Sequence, residues 1–156
     1  LAIIALGAMP VTAIILNYGS QDLRTDNRKD SGAYVYARHV MDSVPDGSIL
    51  LSNEENQVFS LWYMGLVEEA DRKVAPIAVP LLQFDWYWRT ISEHFPGRFQ
   101  PDGPTDIPQA LRSIVERNGD GTKVFFTYWD QSLDDAFVLK ERAGGALLEA
   151  GIKPAP

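Results

Sequence analysis

The stretch Ser48 to Ser52, SILLS, limits the fold more than any other. Its three aliphatic residues in succession leave no polar face for water, and the run is too short for a helix. It therefore reads as a strand covered on both faces. The flanking pattern agrees. Ala33, Ala37, Val40, Met41 and Val44 follow helical spacing behind a cap at Asp30 or Ser31, and that helix stops at Pro45, where PDG makes a turn. A second helix is expected from about Glu54 to Ala70. KVAPIAV reads as the next buried strand, although Pro76 counts against a central position.

WYWRTISEHF is a third helical stretch, ended by Pro96 and Gly97, and a loop then leads to a helix over Ile107 to Arg117 with Pro108 in its first turn. NGDG ends that helix, and TKVFFTY follows as a strand. Ala136 to Arg142 reads as a further strand, and AGGALLEAGIKPAP as a weakly structured end with an edge hairpin. The alternation of helix and strand predicts an α/β fold, a three-layer sandwich with a mostly parallel, Rossmann-like sheet.

Ahead of this unit stands Leu1 to Leu16, LAIIALGAMPVTAIIL, without a charge. As a helix it would span about 24 Å, against the roughly 30 Å of a hydrocarbon core. Residues 1–17 are read as the end of a membrane helix, with Asn17 and Tyr18 at the interface. The competing reading is a buried strand and helix turn broken at Pro10. Starting at Leu, the chain reads as part of a longer protein. Residues 18–30, which include SQDLRTDNRKD, form a polar linker, and residues 31–156 are the α/β domain.

Charge and composition remove several function classes. Twenty-one Asp and Glu against fourteen Lys and Arg give a net charge of -7, and the basic residues are scattered, so nucleic acid is not an expected partner. Without cysteine there is no disulfide, thiolate or Cys-based zinc chemistry. His39 and His94 are isolated, no phosphate-cradling glycine motif is present, and no serine has a nucleophile-elbow context. No cofactor, metal ligand or catalytic residue is assigned.

In a parallel α/β sheet the loops after the strands gather at the carboxyl edge, where ligands usually bind. This would place Asn53, Glu54, Glu55, Asn56, Asp85, Trp86, Trp129 and Asp130 along one rim. Carboxylates and amides beside indoles suit a sugar, whose hydroxyls need polar partners while its C–H face stacks on a ring. Each acidic residue also has a plainer role. Ser52 and Glu55 fit a capping box, Asp85 can cap the WYWRTI helix, and Asp130 can cap a turn. Trp62, Tyr63, Trp86 and Trp88 fit a core or an interface, but Trp86, Tyr87 and Trp88 are consecutive and cannot all face one core. At least one must lie outside.

The same landmarks carry a family resemblance. Tyr36 and Ala37 on the first helix, the strand entry Pro45 to Leu50, the LWY of Leu61 to Tyr63 and the Trp86–Tyr87 pair resemble the domain of unknown function 2723 family over about Asn17 to Ile91. These are multi-spanning membrane proteins related to protein O-mannosyltransferases and other GT-C glycosyltransferases. The polar turn departs from the pattern, reading NEEN where the family has a Gly-Asp-Asn-like turn. The resemblance implies a membrane-embedded transferase using a polyprenyl-phosphate sugar donor, with its catalytic acidic residue in an outer loop not among these residues. The present domain would then lie on the extracytoplasmic side and be non-catalytic alone, positioning an acceptor glycan or polypeptide. The alternatives are a structural or partner-binding module of a membrane protein, and a free-standing soluble hydrolase.

Overall fold

The computed structural model describes residues 31–119 and 121–153. Contacts separate residues 1–32 from residues 33–156, and the architecture below is that of the second unit. The expected membrane-helix end at residues 1–17 and linker at 18–30 lie outside the described residues. Among the described residues, no helix is long and apolar enough to cross a membrane.

The chain runs through α1 (Gly32–Asp42), β1 (Ile49–Ser52), α2 (Glu55–Tyr63), β2 (Ala75–Ala78), α3 (Asp85–His94), α4 (Ile107–Asn118), β3 (Val124–Phe126), α5 (Gln131–Ala136), β4 (Phe137–Arg142) and β5 (Leu147–Ile152). Helix α2 continues into a π-helical turn, Met64–Glu68. All four residues of β1 are buried. Successive side chains of a strand point to opposite faces, and the core divides accordingly. Ile49 and Leu51 join Ile77, Phe126, Trp88 and Ile114 in one apolar cluster. Leu50 joins Phe125, Val40, Met41, Leu61 and Met64 in the other. Having two covered faces, SILLS has no place for a polar alternate.

The five strands form one mixed sheet in the order β2-β1-β3-β5-β4. β1 is parallel to both β2 and β3, whereas β3–β5 and β4–β5 are antiparallel. The expectation of a mostly parallel, Rossmann-like sheet is thereby corrected. The cause is local. Ala143, Gly144 and Gly145 take positive φ of 50°, 66° and 91°, so the chain reverses within a tight turn. A parallel return needs a crossover of a dozen or more residues. The hairpin was expected at the edge, but β5 lies inside the sheet between β3 and β4.

Strand β2 is an edge strand, and its outward backbone groups are closed by side chains. Ala75 N–H donates inward to Ser48 O at 2.8 Å, so Pro76 and Ala78 face outward. Pro76 has no N–H to offer. Its carbonyl accepts from Trp62 Nε1 at 3.0 Å, and Ala78 N–H donates to the Tyr87 hydroxyl at 2.9 Å. Open strand edges are templates for unwanted pairing, and this one is sealed from both sides. On the opposite flank Arg72 ties α1 to the entry of β2. Its guanidinium reaches Asp46 at 2.7 Å, Glu69 at 3.0 Å and the carbonyls of Met41 and Val44 at 2.8 and 2.6 Å.

Two outcomes are expected. Tyr87→Phe leaves a buried Ala78 N–H unpaired and should cost about 1–3 kcal/mol in denaturant unfolding; a variant as stable as the parent would remove Tyr87 from the seal. Lys123 and then Arg142 hold the Glu149 carboxyl below its usual range, with contacts of 2.6 Å from each. A carboxylate depressed in the folded state contributes stability that is complete above its unfolded pKa of about 4.3 and is lost as pH falls through the lower folded value. Glu149→Gln should therefore flatten the acid limb of stability against pH, read by urea unfolding between neutral and strongly acidic pH.

Candidate functional site

The loops after β1, β2 and β3 leave from the carboxyl ends of three adjacent parallel strands. The chain passes from β1 outward to β2 and then back across to β3, so the order reverses between β1 and β3. Ligand sites of α/β sheets favour such a point. Here the Ser52 and Thr127 hydroxyls are 2.8 Å apart, and Gln57 Oε1 accepts from Thr127 at 3.0 Å and Ser52 at 3.3 Å. Gln57 Nε2 donates in turn to Glu54 at 3.0 Å.

This network corrects the expected capping box. Helix α2 starts at Glu55 with Glu54 in the cap position and no side-chain cap bond. Ser52 sits two residues before the cap and spends its hydroxyl on the neighbouring strand instead. Asp85 is likewise the first residue of α3, not its cap, which is Phe84. Asp130 does cap α5, accepting from Ser132 N–H at 2.8 Å and Ser132 Oγ at 2.6 Å. Those bonds hold its carboxyl below the usual range.

Tyr36 of α1 approaches the same network. Its hydroxyl is buried and has no hydrogen bond of ordinary geometry. Burial raises its pKa, Thr127 partly opposes the rise, and the Glu54 charge adds to it. Sequence reasoning missed Tyr36, Gln57 and Thr127 as a group. The available signal was a hydroxyl residue just after the apolar run in both SILLS and KVFFT.

The expected rim is only partly assembled. Asn53 and Glu55 line one cavity of about 300 Å³, walled by Phe59, Trp62 and Leu81. Trp86 lines an adjoining cavity of about 220 Å³ that shares Trp62 and Leu81 with the first. Together they form a groove running beside β2 between α2 and α3. Trp86 is 55% exposed while Tyr87 and Trp88 are buried, as three consecutive aromatics require. Its ring stacks on Phe84 with centroids 6.2 Å apart. Phe59, also exposed, meets Trp62 edge-on at 5.6 Å.

The remaining rim residues go elsewhere. Glu54 is held by Gln57, and Asn56 Oδ1 accepts from the Gln57 N–H at 2.8 Å. Asp85 is exposed at the start of α3. Trp129 is exposed too, but its Nε1–H donates to Asp134 at 3.0 Å, and it stands with Asp130 at the end of β3, away from the two cavities. Among the described residues no group of three or more His, Asp or Glu side chains could hold a metal ion.

The class defined so far is a mixed α/β domain with an aromatic groove along one sheet edge. Residues 33–96 match the family model described as TMEM260-associated domain 2. This overturns the resemblance to the domain of unknown function 2723 family. Most of its landmarks lie within the matched span, and structurally they are packing features: Ala37 and Leu61 are core residues, Trp62 and Tyr87 seal the sheet edge. No curated protein and no solved structure matches the chain.

The unpartnered Tyr36 hydroxyl gives a test of the switch-point geometry. Tyr36→Phe should leave stability unchanged or raise it by about 1 kcal/mol, because a buried group without a partner is removed, whereas Thr127→Val should cost about 1 kcal/mol. A loss in the Tyr36 variant, measured by thermal unfolding, would mean that its hydroxyl is bonded.

Proposed function

We propose that this domain is a non-catalytic positioning module of a membrane-embedded glycosyltransferase, lying on the extracytoplasmic side and holding an acceptor glycan or glycosylated peptide. The observation that carries the reading is the cavity in which Asn53 and Glu55 face Phe59 and Trp62. An amide and a carboxylate can share the vicinal hydroxyls of a hexose, and the rings offer a surface to its C–H face. The membrane setting is supported by the name of the matched family, TMEM260-associated domain 2, and by the apolar run Leu1 to Leu16. The chemistry in this reading belongs to segments outside the described residues.

A second reading, a partner-docking module, is favoured by the outward side of α2 and its π-helical turn. Phe59, Tyr63, Leu66 and Val67 are all exposed there, with Val67 at 66%. Large apolar side chains exposed together on one surface mark an interaction site.

Titration of the full chain with neutral hexose oligosaccharides, followed by the indole NMR resonances, separates the two. The glycan reading expects saturable shifts of Trp62 and Trp86, weakened about tenfold or more by Glu55→Gln or Phe59→Ala and unaffected by Trp129→Phe. Silent indoles across the panel would discard the glycan and leave the docking reading.

A further inference from the structure

Beyond that reading, the same groove continues past Trp62 and Leu66 into a third cavity of about 470 Å³ of opposite character. Its lining includes Lys73, His94 and Arg98 and no carboxylate. The three basic side chains come from separate pieces of chain: Lys73 follows the Ala70–Arg72 turn, His94 closes α3, and Arg98 lies in the turn beyond Pro96 and Gly97. Such a concentration is unexpected in a chain with a net charge of -7.

Four other cations of this domain are held by carboxylates. Arg38 meets Glu68 and Glu69, Arg72 meets Asp46 and Glu69, and Lys123 and Arg142 share Glu149. Arg98 and Lys73 have no carboxylate partner among the described residues. Arg98 Nη1 donates to Lys73 O at 2.7 Å, leaving the rest of the fork unengaged. Burial lowers its pKa, and no neighbouring charge opposes that shift. His94 Nδ1 lies 2.9 Å from Thr90 O, which makes Nδ1 the donor and leaves Nε2 unengaged. A partly desolvated cation without a counter-charge is costly, and an incoming anion would supply one.

We propose that this cavity binds a phosphate ester. The planar fork of Arg98 suits two phosphate oxygens, Lys73 supplies a mobile point charge, and His94 in its imidazolium form donates a third contact from Nε2–H. A carboxylate would leave one of these groups idle. The cavity exceeds the needs of the phosphate alone, and Leu66, Phe95 and Pro96 offer an apolar wall for the body of the ester.

The source of the phosphate, soluble ester or lipid headgroup, is distinguished by the probes. The full chain in phosphate-free buffer is titrated with inorganic phosphate and with phenyl phosphate, following the Arg98 Nε and His94 ring resonances. It is also floated with phosphatidylcholine vesicles with and without phosphatidic acid. Saturable binding is expected, tighter for phenyl phosphate than for inorganic phosphate, and weakened at least about tenfold by Arg98→Gln or Lys73→Asn. Asn tolerates the left-handed φ of 55° at position 73, so the second variant keeps the turn even if the first unfolds. Lys140→Gln is the neutral control, and Glu55→Gln should leave phosphate binding intact, which separates this site from the proposed glycan cavity. Vesicle binding that needs phosphatidic acid and is lost in the Lys73 variant, with no response to the soluble probes, assigns the lipid source. No response to any probe, or equal responses in parent and both variants, overturns the site.

Discussion

The outer edge of β2 is the constraint on which the functional surface depends. A four-residue strand with only one sheet neighbour would be a weak element, since its outward groups would compete for water or for another chain. Here Pro76 removes one donor, Trp62 from α2 takes the free carbonyl, and Tyr87 from α3 accepts the free N–H. The two helices are thus fixed against the strand by the side chains that seal it. The groove is the space left between them, and both sealing residues line it.

The parts of the fold that rest on local pattern were legible. Three apolar residues with no alternation gave a strand covered on both faces, and Pro108 in a first turn gave α4, whose cap Asp106 accepts from Gln109 N–H at 3.2 Å. Pro76 was the more informative residue: its missing N–H marked the sheet edge rather than weakening the strand. What could not be read was which strand pairs with which. The position of β5 between β3 and β4 depends on a turn of positive φ and on long-range pairing, neither of which leaves a periodic signal. Helix α5, with six residues, is too short to display a period.

The site was legible in the same uneven way. Placing the polar turn and Trp86 at the carboxyl ends of parallel strands followed from topology, and it put Asn53 and Glu55 in one cavity. Ser52 satisfied the spacing of a capping box yet lies two residues before the helix cap, and its hydroxyl meets that of Thr127, just past β3. Lys73, His94 and Arg98 are spread over 26 positions of the sequence, 73 to 98, and only the fold, which brings the end of α3 and the π-helical turn to one cavity, sets them together. The resulting groove runs from amide and carboxylate, across aromatic rings, to unpaired cations. That gradient orients whatever lies along it.

The double duty of Trp62 and Tyr87 also sets how the domain resists self-association. A molecule held in the groove packs against the indole and phenol that close β2, so occupancy and closure of the strand edge are thermodynamically linked. Displacing either ring would open Pro76 O or Ala78 N–H to a second chain. A molecule bound there would for that reason also guard the edge against pairing with a second chain.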